Sequence, residues 1–287
     1  MVDLHMHSRY SDDGEFSPSE LVRKCSDAGI KIMSVTDHNC VKANAEAAEA
    51  AKARNICYIP GVEIDCTYRD VNFHMLGYGI DYKSNDFMEI ERNIEEQSIQ
   101  ASMERLIKTQ ELGFHVTEND MWEIAKDNYW KDIWTGEMFA EVLLSRPEYA
   151  DHPLLRPYRP GGKRGDNPYV NFYWDYYAQG KSCYAGEKYP GMEETLEVIH
   201  ANGGFAVLAH PWVNLKENIY LLDEILDLGP DGIEAFSSYH TREQAEFFYR
   251  IAQERHLITT CGSDYHGKTK PAIQVGQHHC RLSWGDI

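Results

Sequence analysis

The sequence is short of several things, and each shortage excludes something. Basic residues are scarce, 28 Lys and Arg against 46 Asp and Glu, for a formal charge of -18 at pH 7. A chain this acidic lacks the basic footprint that duplex nucleic acid requires, although bound cations can invert the sign locally. No apolar run approaches the roughly 20 residues of a membrane span. The opening Met-Val-Asp-Leu-His-Met-His has neither the basic region nor the apolar core of a secretory leader, so a soluble, cytoplasmic protein is expected. The cysteines (Cys25, Cys40, Cys57, Cys66, Cys183, Cys261, Cys280) are odd in number and form no C-x-x-C pair. That argues against a disulfide framework and against a thiolate zinc site, and reduced, mostly buried thiols are expected instead. Internal repeats and low-complexity tails are also missing.

What is present is an ordinary globular composition, 43% hydrophobic over 287 residues, enough for one large domain or two modest ones. The first third alternates short apolar strands with helices. Val2 to His7 reads as a strand, and Ser17-Pro18-Ser19-Glu20 reads as a capped helix start. Gly29 ends that helix. A strand over Lys31–Thr36, a helix over Lys42–Arg54, and strands over Cys57–Asp65 and Asn72–Ile80 follow. The last third repeats the pattern. Pro190 opens a helix with Met192, Leu196 and Ile199 on one stripe. Strands are expected at Phe205–Ala209, Gly232–Phe236 and Leu257–Cys261, with a helix begun by Thr241 between the last two.

Strands separated by helices imply a parallel sheet in an α/β protein, and this many units suggest a closed or nearly closed barrel. Residues 83–188 behave differently. They open with a long polar helix containing Phe87, Ile90, Ile94 and Leu106, and continue into a stretch rich in Trp and Tyr with few strand signals. The expected organisation is a barrel formed by 1–82 and 189–287, interrupted by a mostly helical inserted cap over 83–188.

The chemistry-bearing residues gather at strand ends. Asp3, His5 and His7 share one face of the first strand, and a loop with Asp12 and Asp13 follows. Asp37 and His38 end the second strand, Glu63 sits in the third and His74 in the fourth. His210 ends the fifth, and Asp264 and His266 follow the last. In barrels that rim carries the catalytic groups. Converging imidazoles and carboxylates without sulfur suit Zn, Mn or Fe, and so many donors call for two or three ions. Cations so placed neutralise charge on a phosphoryl group and lower the pKa of a bound water.

The runs Asp3-Leu4-His5-Met6-His7-Ser8, Ser11-Asp12, Thr36-Asp37-His38, Gly61-Val62-Glu63, His74-Met75-Leu76-Gly77, Ala209-His210-Pro211 and Gly262-Ser263-Asp264-Tyr265-His266 resemble the polymerase and histidinol phosphatase (PHP) family, in family order. The resemblance implies a distorted (β/α)7 TIM-like barrel and a trinuclear site. His5, His7, Glu63 and Asp264 would hold one ion. Glu63 would bridge to a second ion bound by His74 and His210, and Asp12, His38 and His266 would hold a third. Where the family has Ser-Asp-Gly this chain has Ser11-Asp12-Asp13-Gly14, so Asp13 competes with Asp12, which is preferred on its distance from His7. Asp12, Glu63, Asp264 and His266 are the expected catalytic groups.

Within the family, the insertion after the His74 strand and the segment Asp231-Gly232-Ile233-Glu234 resemble the branch of nucleoside 3′,5′-bisphosphate phosphatases, some of whose relatives shorten oligonucleotides. That implies a metal-dependent phosphoric ester hydrolase acting on a small phosphorylated substrate. Arg156, Arg159, Lys163 and Arg164 form the one basic cluster, either a cap loop that grips a second phosphate or a solvated loop; Arg9 is a similar candidate for the scissile phosphate, and His240 a candidate to contact phosphate or donate a proton. Trp122, Trp130, Trp134, Tyr173 and Trp174 either stack on a base or pack the cap. The remaining histidines, His115, His152, His200, His256, His278 and His279, are expected to be surface or structural. The rival readings are a histidinol-phosphate phosphatase, an amidohydrolase cleaving C–N bonds, and a non-catalytic metal-binding module.

Overall fold

The computed structural model describes residues 1–280, so the last seven positions of the expected second barrel segment lie outside the described residues. The strands, in chain order, are β1 (Val2–Asp3), β2 (Ile32–Met33), β3 (Cys57–Tyr58), β4 (Gly61–Tyr68), β5 (Val71–Tyr78), β6 (Phe205–Leu208), β7 (Gly232–Ser237) and β8 (Ile258–Gly262). The helices are α1 (Pro18–Asp27), α2 (Ala43–Lys52), α3 (Asn85–Glu111), α4 (Glu118–Ala125), α5 (Gly136–Ser145), α6 (Pro168–Tyr176), α7 (Met192–Ala201), α8 (Pro211–Leu215), α9 (Leu221–Asp227) and α10 (Arg242–Glu254).

Local chemistry sets several boundaries. Ser17 and Glu20 form the expected reciprocal cap of α1, and Thr241 with Gln244 does the same for α10. Gly29, at φ 76°, adopts the left-handed conformation that ends α1 at low steric cost. The helix foreseen at Pro190 begins two residues later, at Met192. The strand expected over Cys57–Asp65 is split into β3 and β4 near Pro60, which has no N–H to give a ladder.

The α/β fold is as expected, but the parallel, closed or nearly closed barrel requires correction. β1, β2 and β3 form one parallel sheet, and β4 to β8 form a second in sequential order. β6, β7 and β8 are parallel, but β5 runs antiparallel to both β4 and β6. The cause is the link between β4 and β5. Arg69 and Asp70 have φ 48° and 61°, the signature of a type I′ hairpin turn. Two residues cannot carry the crossover that a parallel pair needs.

Among the described residues the sheets do not close into one regular barrel. Single bridges join their edges instead. Leu4 N donates to Cys261 O at 3.0 Å and Asp264 N to His5 O at 2.8 Å, tying β1 to the end of β8. On the other side His38 pairs with Glu63, where Glu63 N donates to Asp37 O at 3.1 Å. The β1–β8 approach depends on Gly262. A Cβ there would fall 2.1 Å from His5 Cβ and 2.7 Å from Glu234 Oε1.

Each group of elements has its own apolar centre. Val62, Met75, Leu208, Ile233 and Phe248 anchor the core of the second sheet. Leu21, Met33 and Ala47 pack α1 and α2 on the first sheet. The segment between β5 and β6 contains helices but no strand among the described residues, and buries Phe114, Phe139, Phe172 and Tyr177 together. Burial of such a ring contributes about 1.5–3 kcal/mol.

Candidate metal centre

His5 and His7 leave β1 on one face, fully buried. Their Nε2 atoms lie 3.2 Å apart. Glu63 Oε2 is 2.9 Å from the first and 3.1 Å from the second, and Asp264 Oδ1 is 3.4 and 3.1 Å from them. Donors bound about 2.0–2.2 Å from a common ion stand roughly 3.0–3.5 Å apart, so the four atoms have the spacing of one coordination shell. Glu63 faces a second group with its other oxygen. Oε1 lies 2.9 Å from His74 Nδ1 and 3.0 Å from His210 Nε2. Because β5 is reversed, His74 reaches this rim from the N-terminal half of its strand.

The third group is His7, Asp13, His38 and His266. Asp13 Oδ2 is 3.0 Å from His266 Nε2, whereas Asp12 lines the cavity and, among the described residues, joins no converging group. The preferred assignment therefore moves by one residue. The loop folds back tightly at Gly14, whose Cβ would fall 2.0 Å from Ser8 O, and the residue just before that fold is turned inward. Electrostatics separates the pair. Burial pushes Asp13 up, but His266 and His38 pull it below the ordinary carboxylate range. Burial, and then Asp13 itself, push Asp12 up to about 7.

The ligand set fits divalent cations. It is imidazole and carboxylate throughout, its core is buried, and Asp13 Oδ1 and His38 Nδ1 have no hydrogen-bond partner. Burial would raise Glu63 and Asp264, but the surrounding cationic groups hold both well below the usual range. Those groups are His5, His38 and His74 for Glu63, and Lys270, His266 and His5 for Asp264. Burial and the neighbouring His266 and His38 lower His7 to about 4, leaving its imidazole neutral for ligation.

Partners behind the donors fix their aim, and sequence reading missed most of them. Glu234 Oε1 is 3.0 Å from His5 Nδ1, and its Oε2 accepts from His210 N at 2.9 Å. Lys270 Nζ donates to Asp264 Oδ2 at 2.7 Å and to Asp264 O at 2.8 Å, leaving Oδ1 to face the imidazoles. Asp37 is no ligand. It accepts from Ser8 N at 2.5 Å and from Ser8 Oγ at 2.7 Å, fastening the loop after β1. His210 and Asp264 have φ 22° and 53°, unusual backbone for side chains and typical of functional sites.

The donors open into a cavity of about 390 Å³. The basic residues expected there are elsewhere. Arg164 makes two bonds to Asp175, both at 3.0 Å, and Arg159 donates to Leu144 O and Tyr149 O. Arg9, Arg156 and Lys163 are exposed and do not line the cavity. His240 is buried, with Nδ1 on Ala235 O at 2.8 Å. The cations that do line it are Arg105, Lys181, Lys216 and Lys270. Trp130, Tyr173 and Trp174 also face it, while Trp134 packs in the helical core and Trp122 is exposed. Buried Glu137, pushed up to about 8 by burial and then by Asp13, is a further acid on the wall. Cys261, His278 and Cys280 also converge, which spacing alone did not suggest. Both His278 nitrogens are already engaged there, with Val2 O at 2.7 Å and Cys280 N at 3.2 Å.

Comparison with known proteins places this geometry. The PHP domain pattern matches residues 3–144. The chain is 27% identical to a 3′,5′-nucleoside bisphosphate phosphatase of Chromobacterium violaceum, covering 100% of this chain and 96% of that one. It is likewise 27% identical to a 5′-3′ exoribonuclease of Haemophilus influenzae, over 92% of this chain and 89% of that one. A solved structure described as an amidohydrolase from Chromobacterium violaceum superposes with a TM-score of 0.76 at 25% identity, covering 95% and 90% of the two chains. The motif order, the convergence of the donors and these full-length likenesses agree: this chain carries a PHP domain over residues 3–144.

Proposed function

We propose that this protein is a metal-dependent phosphoesterase that hydrolyses a phosphate monoester of a small nucleotide-like substrate, a nucleoside 3′,5′-bisphosphate or a short oligonucleotide. The observation that carries the reading is buried Glu63, whose two oxygens face two separate donor groups at 2.9–3.1 Å, behind the His74, His210 and Asp264 that line the cavity. His5, His7, Glu63 and Asp264 would hold one ion, and Glu63, His74 and His210 a second. Asp13, His38 and His266 would hold a third, with His7 beside it. Two to three cations of the Zn, Mn or Fe kind suit these donors; bound there, they supply charge neutralisation at the phosphoryl oxygens and acidify a coordinated water.

The chain's own residues do the rest. Glu234 keeps the proton of His5 on Nδ1, so that the Nε2 lone pair faces the centre. Lys270 holds Asp264 to one inward oxygen. The segment 83–188 acts as a cap, giving the cavity Trp130, Tyr173 and Trp174 for a base to rest on. Lys216, 4.7 Å above the Trp174 ring, and Lys181 are placed to meet a second phosphate. The bridges between the two sheets support reading them as a distorted barrel with one reversed strand. Two relatives named for nucleotide and RNA chemistry favour this substrate over histidinol phosphate. The amidohydrolase likeness keeps C–N hydrolysis as the second reading, against which stands a carboxylate, not a lysine, between the donor groups.

The test is phosphate release by the metal-loaded protein across nucleoside bisphosphates, short oligonucleotides and histidinol phosphate, beside an amide and lactone panel. Turnover of a nucleotide phosphate, abolished in Asp264→Ala, is expected. Full activity of Asp264→Ala with metal still bound, or turnover confined to amides, refutes the proposal. Lys181→Ala and Lys216→Ala should each raise KM for a bisphosphate roughly fivefold, the scale of an exposed ion pair, with kcat retained.

A further inference from the structure

The alternation of β4 that turns Glu63 into the site turns Asp65 to the same side. The ligand scheme above gives Asp65 no part. Its two oxygens are nonetheless held very differently. Oδ2 accepts from Asn39 Nδ2 at 2.7 Å, and Asp65 N donates to Asn39 Oδ1 at 3.0 Å, so the carboxylate is clamped from behind. Oδ1 is left 3.4 Å from His38 Nδ1 and 3.2 Å from His74 Nε2.

Asp65 Oδ1 and His38 Nδ1 are both buried atoms without a hydrogen-bond partner among the described residues. Polar atoms in that state are costly unless something satisfies them. The three donor atoms lie within 4.8 Å of one another, and 3.2–3.4 Å is again the edge of a shell with bonds of about 2.0–2.2 Å. The position is also distinct. His38, Asp65 and His74 keep 17%, 15% and 22% of their side-chain surface exposed, against 0% for Glu63, so they stand at the mouth of the centre.

We propose that His38, Asp65 and His74 form a further divalent-cation position at the mouth of the cavity, created by the Asp65 carboxylate. The proposal rests on reading the inner site as a cation centre. A neutral imidazole has one lone pair. An ion at the mouth therefore takes His74 through Nε2, and the opposite nitrogen becomes an N–H donating to Glu63 Oε1, 2.9 Å away. That withdraws His74 from the Glu63–His210 group, and the one lone pair of His38, whose Nδ1 faces Asp65, is likewise contested with the Asp13–His266 group. The competition makes the mouth the weaker, exchangeable position, filled after the inner ones.

Asp65→Asn keeps the shape while removing the charge. Titration of the metal-free wild type with Mn2+ should show a weak binding phase at least tenfold weaker than the tight ions. Asp65→Asn should lack that phase and keep the tight ones. Identical isotherms for the two proteins overturn the proposal. Anomalous diffraction from wild-type crystals grown in excess Mn2+ needs no variant, so a folding defect in Asp65→Asn leaves the question decidable. A peak among the three donors supports the position; filled inner positions with nothing at the mouth refute it. Absence of any bound metal in the wild type would instead defeat the phosphoesterase reading.

Discussion

Replacing Glu234 by glutamine alters the control of one proton while barely altering shape. Glu234 Oε1 stands 3.0 Å from His5 Nδ1, and His5 Nε2 faces Glu63, His7 and Asp264. For Nε2 to offer a lone pair to an ion, the ring proton must sit on Nδ1. A carboxylate enforces that tautomer because it only accepts. A glutamine amide accepts with one end and donates with the other, and the donating end would move the proton to Nε2, into the centre. Oxygens or amides behind metal-binding histidines typically matter 10–100-fold in affinity, which is about 1.4–2.7 kcal/mol. The assay is chelator competition for Zn2+ or Mn2+ on purified wild type and Glu234→Gln, with circular dichroism to show an unchanged fold. The loss should fall on the ion held by His5, since His74 and His266 do not touch Glu234 and the glutamine oxygen can still accept from His210 N. Glu234→Ala, which also strands the His210 N–H, should fall further. Wild-type affinity in Glu234→Gln, or an equal loss for every ion, would refute the tautomer argument.

Two other outcomes follow from the same geometry. Gly262→Ala places a methyl 2.1 Å from His5 Cβ, so strain of about 1–3 kcal/mol should lower Tm and weaken metal binding together; thermal melts with unchanged Tm would contradict the close approach. In the metal-free protein, burial favours a neutral His5, but Glu63, Glu234 and Asp264 outweigh it and hold its pKa well above the ordinary value, and Glu63 and Asp65 do the same for His38. An ion must displace those protons, so affinity should rise with pH through neutrality and fall as acid restores them. Calorimetry in buffers of different ionisation heat should register protons released near pH 7; zero release would refute it.

Much of this protein is readable from the linear sequence, because the signals are local. Ser17 with Glu20, and Thr241 with Gln244, announce their helices within four residues. His5 and His7 declare a shared face by strand alternation, His38, His210, Asp264 and His266 stand at recognisable strand ends, and Glu63 and His74 lie within strands. What escaped was set by contacts between distant segments. The two-residue Arg69–Asp70 turn was there to be read as a hairpin, yet its consequence, a reversed β5 that delivers His74 from the other direction, depends on the sheet around it. Asp12 and Asp13 are equivalent by composition. Only the fold of their loop against Ser8 and the nearness of His266 distinguishes them.

The same division explains the basic residues. Arg159 and Arg164 look like phosphate ligands in a chain of net charge -18, but a guanidinium takes the nearest acceptors, and here those are Leu144 O, Tyr149 O and Asp175. Lys181, Lys216 and Lys270 carry no motif, and their role comes from which wall they occupy. Glu234 lies 229 residues from the His5 whose proton it governs. Sequence alone determined which donors exist and on which faces of their strands they lie, since both follow from residue type and backbone period. Tertiary structure decided which donors share a centre and which charges face the cavity, because donor spacings near 3 Å arise only when separate chain segments pack together.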